Sequence, residues 1–307
     1  MMNAARYAVG IQGISVSERA YQKAVAYARE RVQSRPVDGS MPGAAPIIHH
    51  PDVKRMLMTM RAYIEGCRAL ALTAGAAFDA AHHHPDASVR QDNQKFYEFM
   101  VPLVKGYSTE MSLEVTSLGV QVHGGMGFIE ETGAAEYYRD AKILTIYEGT
   151  TAIQANDLVG RKTARDGGET AKALAAQIAQ TVAALQASAS PAATAMAREL
   201  ERARQAFLDS AAFIAAETRG NPNAAFAGSV PYLMLTGNLM AGWQLARGLL
   251  AAEQLIGQDS EFGDRFLQTK VATARFYAEH ILVKTGALRD AIVVGADSVN
   301  ALDVDAF

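Results

Sequence analysis

Apolar residues recur along this chain at spacings of three and four almost from end to end, and no run alternates in the manner of a strand. Ile14, Tyr21, Val25, Ala28 and Val32 share one face of a first helix over residues 3–34. Arg35-Pro36 and the Gly- and Pro-containing stretch to Pro46 break it. A second helix opens at Pro51-Asp52, where proline is tolerated in the first turn. Its seam is Val53, Met56, Met60, Tyr63, Cys67 and Leu70, and it ends near the polar His82-His83-His84-Pro85. A third helix over 88–121 carries Leu103, Tyr107, Met111, Val115 and Leu118 on its buried side, with Pro102 as a kink point. Short helices follow at 133–142 and from Thr150 or Thr151 onward. The expected fold is all-α, an up-down antiparallel bundle.

The stretch from Arg161 to Glu169, with Gly167-Gly168, reads as a linker. Beyond it, alanine-rich helices are expected at 170–188, 191–218, 229–257 and 260–286. Phe207, Leu233, Trp243 and Phe276 would fill the gaps between closely approaching backbones. The division is therefore 1–162, a helical bundle, and 163–307, a second helical domain whose task is packing or assembly. Val230–Ala246 bears no charge, but it contains Pro231, Thr236, Asn238 and Gln244 and falls short of the ~20 apolar residues of a membrane span. It reads as a buried core helix.

Composition narrows the function classes. Of 307 residues, 50% are hydrophobic and 20% charged, which is ordinary for a globular protein with a real core. The net charge of −3 offers no basic face for nucleic acid. The single cysteine, Cys67, excludes an internal disulfide, and with no signal-like N-terminus the expected location is cytoplasmic. His82–His84 and the His49-His50 pair invite a metal reading, but neighbouring histidines do not share a helix face and no carboxylate or cysteine completes a ligand spacing. The expectation is that no metal is bound.

Two segments stand apart. Gln121-Val-His-Gly-Gly-Met-Gly-Phe128 offers glycines that could expose backbone amides to a phosphate, or simply end a helix. It lacks the GxGxxG spacing of a dinucleotide fold and follows a helix rather than a strand. Some twenty residues on, Tyr147-Glu-Gly-Thr-Thr-Ala-Ile-Gln154 sets a carboxylate at the mouth of a helix. Thr151-Ala-Ile-Gln154 fits a capping box, which would leave Glu148 and Gly149 against the positive end of the helix dipole. There the dipole favours the carboxylate and burial beside an apolar substrate favours the acid, a balance suited to a base next to a carbonyl. A solvated turn residue is the other reading. Arg31 is open to two roles as well, a cation at a helix C-terminus or a guanidinium for phosphate.

Together these stretches resemble the C-terminal helical region of the flavin-dependent acyl-CoA dehydrogenases. The resemblance is carried, in family order across residues 1–161, by Met2-Asn-Ala-Ala-Arg-Tyr-Ala-Val-Gly-Ile-Gln-Gly, Tyr27-Ala-Arg-Glu-Arg-Val-Gln, the glycine segment, and Tyr138-Arg-Asp-Ala-Lys-Ile-Leu-Thr-Ile-Tyr-Glu-Gly-Thr. The second half resembles, more loosely, the extra domain of long bacterial members, which include enzymes acting on 3-(methylthio)propanoyl-CoA. The resemblance implies that Glu148 is the base that takes the α-proton of an acyl-CoA thioester while the β-hydrogen leaves as hydride to FAD. It makes Arg6, Tyr147 and Gly149 substrate-side positions and Thr150 and Gln154 flavin contacts. Arg31, Gln121, Gly124 and Gly125 would reach the FAD of a neighbouring subunit, so a homo-oligomer, a dimer or a dimer of dimers, is implied. An electron-transferring flavoprotein is the implied acceptor. Members that carry the acid on the first helix place it before the arginine matched by Arg6, where this chain has Ala5. The family's Arg-x-Gln-Phe-Gly reads Arg31-Val-Gln-Ser-Arg, a departure on the adenine side. The family's N-terminal and β-domains have no counterpart here, so the chain is expected to be the C-terminal part of such an enzyme. A catalytically inactive assembly module of the same descent is the alternative, and a histidine-based metal bundle a weaker third.

Overall fold

The computed structural model describes residues 2–307, and among these the regular structure is helical apart from one isolated bridge between Val32 and Pro46. In chain order the helices are α1 (Met2–Glu30), α2 (Pro51–His83), α3 (Ala87–Pro102), α4 (Ser108–His123), α5 (Gly125–Phe128), α6 (Ala134–Leu144) and α7 (Thr151–Asp157). They continue as α8 (Glu169–Gln186), α9 (Pro191–Gly220), α10 (Pro222–Ala227), α11 (Ser229–Leu255), α12 (Asp264–His280), α13 (Thr285–Val293) and α14 (Ala296–Val299). The all-α expectation holds. In the first half α1 lies chiefly on α4 and α2 on α3; in the second, α8 lies on α9, while α9 also packs against α11, α12 and α13.

Four expectations require correction. The first helix stops at Glu30 rather than 34, because residues 31–34 pair with 45–47 instead. Gln33 donates to the Ala45 carbonyl at 3.0 Å and Ile47 to that of Arg31 at 2.8 Å. Pro36 favours this by disfavouring helical backbone before it. The single helix expected over 88–121 is two, joined by a π-helical stretch, Leu103–Tyr107, that follows Pro102 directly. Proline lacks the N–H for the ladder and crowds the preceding turn, so the helix widens at that point. The linker expected over 161–169 is helical to Ala164, in π form from Leu158, and only Arg165–Gly168 form a turn. Gly167 and Gly168 supply its positive φ values of 67° and 84°. The last helix, expected over 260–286, starts at Asp264, ends at His280 and is followed by separate short helices.

Several ends carry their own chemistry. Asp86 caps α3 by accepting from the Ser88 amide at 2.7 Å, and Ser190 caps α9 with Pro191 in the first turn. The uncharged stretch 230–246 lies inside α11, almost wholly buried between the two halves. No helix among the described residues is long and apolar enough to cross a membrane.

The two halves share one continuous core. At their junction Tyr107, on the π stretch, donates to Asn238 Oδ1 at 2.9 Å and meets the Tyr277 hydroxyl at 3.0 Å; Tyr277 in turn donates to the Asn238 carbonyl at 3.1 Å. Gly237 allows this approach, since a Cβ there would stand 2.2 Å from the Tyr107 ring. The π stretch is thus clamped by α11 and α12 on one side.

Candidate active site

On its other side the π stretch meets the loop that carries Glu148. The loop runs from Thr145 to Thr150, and its base is closed by the Thr151 amide donating to the Thr145 carbonyl at 3.0 Å. Thr150, not Thr151, caps α7, accepting from the Ile153 amide at 3.4 Å. This corrects the capping box. The Thr151 hydroxyl is turned inward instead, donating to Glu110 Oε1 of α4 at 2.5 Å. Gln154 does not reach back to a cap. Its side chain is wholly buried, and its amide nitrogen lies 3.4 Å and 3.3 Å from the carbonyls of Glu148 and Gly149.

Glu148 has φ of +53° and Gly149 of +89°. Glutamate in the left-handed region is uncommon and is retained only where the surroundings over-determine it. Here Gly149 supplies the next positive φ without a Cβ penalty; a Cβ there would also stand 2.8 Å from the Gln154 amide. The Glu148 side chain itself is exposed. The burial expected beside an apolar substrate is not furnished by these residues.

Lys105 is the residue that the sequence reading missed. It sits in the middle of the π stretch, fully buried, and donates from Nζ to the Gly149 carbonyl at 2.5 Å. Burial pushes its pKa down to about 8; Glu110 opposes this, Arg6 adds to it, and Glu148 also opposes. A signal was present: a lone lysine inside the apolar run Phe99-Met-Val-Pro-Leu-Val-Lys-Gly-Tyr107, three residues after a proline.

Arg6, expected on the substrate side, is committed inside the protein. Its Nη1 pairs with Asp157 Oδ2 of α7 at 2.9 Å, both side chains being largely buried, and its Nε has no partner. Asp157 also accepts from Arg161 at 2.6 Å. The Tyr147 hydroxyl donates to the Gln12 side chain of α1. Arg6, Tyr147, Glu148, Gly149, Thr150 and Gln154 are thus gathered about one loop.

Arg31, Gln121, Gly124 and Gly125 are gathered elsewhere. They line an open cavity of about 440 Å³ together with Tyr27, Gln33 and His123. Gly124, at φ +61°, ends α4, so the glycine segment does terminate a helix, and a Cβ at Gly124 or Gly125 would meet nothing within 4 Å. Among the described residues the Arg31 side chain hydrogen-bonds only Gln33 Oε1, at 3.4 Å, and its guanidinium meets no acid. His123 is buried, stacks on Tyr27 at 4.4 Å and donates from Nδ1 to the Gly119 carbonyl at 2.7 Å; burial lowers its pKa. A guanidinium, an exposed amide side chain and bare glycine backbone form a donor set suited to a phosphate-bearing cofactor. Along α1 the loop group meets Arg6 and Gln12, so at ~1.5 Å per residue it lies roughly 30–37 Å from Arg31.

Among the described residues no cluster of three or more His, Cys, Asp and Glu side chains could hold a metal. His50, His82 and His84 are engaged by backbone atoms at 2.8, 2.8 and 3.1 Å.

Residues 1–163 match the family model described as acyl-CoA dehydrogenase, C-terminal domain, and residues 174–303 match that described as acetyl-CoA dehydrogenase C-terminal like. The chain is 55% identical over 301 residues to the 3-methylmercaptopropionyl-CoA dehydrogenase of Ruegeria pomeroyi, covering 97% of this chain and 50% of that protein. It is 35% identical over 322 residues to a broad-specificity linear acyl-CoA dehydrogenase of Mycobacterium tuberculosis, covering 99% and 51%. Among solved structures, an acyl-CoA dehydrogenase complexed with FAD from Bacillus anthracis superposes with TM-score 0.73 at 20% identity, covering 98% of this chain and 50% of that one. That likeness is one of fold. The chain spans about half the length of the relatives it matches.

Proposed function

The chain belongs to the acyl-CoA dehydrogenase family, and from that premise we propose that it supplies the base and one wall of the cofactor site for α,β-desaturation of an acyl-CoA thioester. The observation that carries this reading is Glu148: an exposed carboxylate held in the left-handed region at the crest of a loop, pinned from beneath by Lys105, Gln154 and Thr151. Strain of this kind collects where geometry serves function.

Glu148 takes the proton from the carbon next to the thioester carbonyl. The α C–H bond breaks, its proton goes to a carboxylate oxygen, and its electron pair becomes the second Cα–Cβ bond as hydride leaves the β carbon. FAD, when bound, supplies the acceptor for that hydride. Arg31, Gln121 and the Gly124-Gly125 backbone fit a phosphate-bearing part of such a cofactor by their donor chemistry. In this reading Thr150, at the exposed loop edge, and Gln154, buried beneath it with Oε1 unpartnered among the described residues, are the flavin contacts. The separation of the two groups along α1 supports contacts with two cofactor molecules, as pairing of subunits would arrange. Arg6, Tyr147 and Gly149 border the substrate, and Arg6 also holds the loop's foundation through Asp157. Residues 1–162 and 163–307 are the two family units, an electron-transferring flavoprotein reoxidises the flavin, and the enzyme works in the cytoplasm. The relative at 55% identity makes 3-methylmercaptopropionyl-CoA the first substrate to try.

The test joins this chain to the N-terminal half of the Ruegeria pomeroyi relative and follows flavin bleaching on addition of acyl-CoA. The expected result is bleaching by the parent and none by Glu148→Gln with flavin still bound; turnover by the variant overturns the assignment. A second reading, a helical assembly module, is favoured by the apolar side chains of Met126, Phe128, Ile143, Ile146 and Ile153, which stand exposed near both groups. An assembly that pairs but gives no flavin reduction with any acyl-CoA selects that reading.

A further inference from the structure

The Glu148 conformation needs a cause. A glutamate does not hold φ of +53° on local preference, since the left-handed region crowds the Cβ of an L-residue against its own backbone. The loop's own backbone bonds close its base, at Thr145 and Thr151, and leave the crest to side chains. Two reach it. The Gln154 amide lies at 3.3–3.4 Å from the crest carbonyls, at the long end of hydrogen bonding. The Lys105 ammonium lies at 2.5 Å from the Gly149 carbonyl and is charge-assisted, the stronger kind of bond.

Lys105 is itself held hard. It is fully buried on a π-helical stretch whose neighbours forbid retreat: a Cβ at Gly10 of α1 would meet the Val104 carbonyl at 2.2 Å, and one at Gly106 would meet Leu233 at 2.8 Å. Among the described residues its side chain's only hydrogen-bond partner is Gly149. A buried ammonium is expensive unless its charge is used, and the groups around it do not neutralise it fully. Arg6 from α1 opposes it and is answered by Asp157 of α7, while Glu110 from α4 and Glu148 from the loop favour it. From α3, Glu98 is engaged by Lys162. From α2 and α11 the stretch meets Tyr63, Cys67, Leu233 and Asn238, none of which brings a counter-charge.

We propose that Lys105 is the positioning residue for Glu148: by holding the Gly149 carbonyl, its buried ammonium keeps Glu148 in the left-handed conformation and its carboxylate at the crest of the loop. The catalytic meaning of that placement rests on the reading of Glu148 as the base; the placement itself does not. The second half of the chain takes part through Tyr107, two residues on, which α11 and α12 clamp and which thereby fixes the stretch that carries Lys105.

The test reads the loop directly, by NMR of the 307-residue chain, following the Glu148 Cα and Gly149 carbonyl carbons as pH rises. In the parent chain both signals shift together with a midpoint near 8, where the ammonium loses its proton. In Lys105→Met that shift disappears and the Glu148 Cα leaves its left-handed value; in Lys105→Arg the left-handed value is kept and stays flat through the same range. Signals in the parent that do not move together at any pH up to the ordinary lysine value of ~10.4 overturn the proposal, as does a folded Lys105→Met chain with Glu148 unchanged. Should the methionine variant not fold, the parent titration and the arginine variant decide. No flavin or substrate is needed, so failure here is separate from failure of the dehydrogenase reading.

Discussion

Arg6 near the start of α1 and Asp157 at the end of α7, 151 residues apart in sequence, form an ion pair of 2.9 Å with little solvent on either side chain. The pair ties the first helix to the helix that leaves the Glu148 loop, so the loop is anchored at its base as well as its crest. A buried pair that loses one member leaves the other charge uncompensated. Asp157→Asn is therefore expected to destabilise the chain by about 3–5 kcal/mol in urea unfolding. Arg161, largely exposed, adds little, and its replacement by alanine should cost under about 1 kcal/mol. Equal effects from the two variants would mean the Arg6 pair is not the anchor.

Stability and function should separate at position 148. Glu148→Gly removes the left-handed penalty while loosening the unfolded chain, for a net gain between zero and about 1 kcal/mol. Glu148→Val, β-branched, is expected to lose at least about 1 kcal/mol. Thermal unfolding of the two variants checks this. A glycine variant clearly less stable than the parent would show that the conformation carries no strain.

α1 approaches the π stretch closely at one point. Gly10→Ala would put a methyl 2.2 Å from the Val104 carbonyl, a backbone atom that has no flexible end to yield. The expected loss is about 1–3 kcal/mol or more of unfolding free energy, read from denaturant unfolding. Gly13→Ala, whose nearest neighbour is at 3.2 Å, should lose less. The reverse order would contradict the packing described.

His123 predicts a pH effect. Burial lowers its folded-state pKa below the ordinary value, so the folded protein holds fewer protons on it than the unfolded chain does. Stability from this residue is present above pH ~6.5 and is lost as the pH falls below it toward the depressed folded value. His123→Phe keeps a ring against Tyr27 and removes the titration. Between pH ~7.5 and ~5.5 its loss of stability should be smaller than the parent's. Identical losses would mean that His123 stays solvated.

Much of the fold was legible because it is helical and amphipathic. The seams from Val53 to Leu70 and from Leu103 to Leu118 fall on helices, and the uncharged stretch 230–246 lies within a buried one. Breaks were less legible where two neighbours settle them together. Pro102 signalled a kink, but that the chain answers with a π turn depends on Gly10, Gly106 and Gly237 admitting backbone and rings at close range. The linker misread at 161–169 shows the same limit: glycines mark a turn, and packing decides how far the helix runs before it.

The site divides along the same line. Local chemistry in the sequence, an acid before a glycine and a threonine before a helix, marked Glu148 as a turn residue at a helix mouth, because a turn and a cap are made by residues a few positions apart; its reading as a base came from the resemblance. Local chemistry mistook Thr151 for Thr150 in the cap and held no sign that Asp157 pairs with Arg6. Lys105 stayed invisible among apolar residues, since what makes it matter is a carbonyl 44 positions away. Periodicity and turn chemistry are written in neighbouring residues and can be read from them. Burial of an ammonium, closure of an ion pair and the aim of a strained carboxylate depend on which distant elements meet, and only the packed tertiary structure decides that.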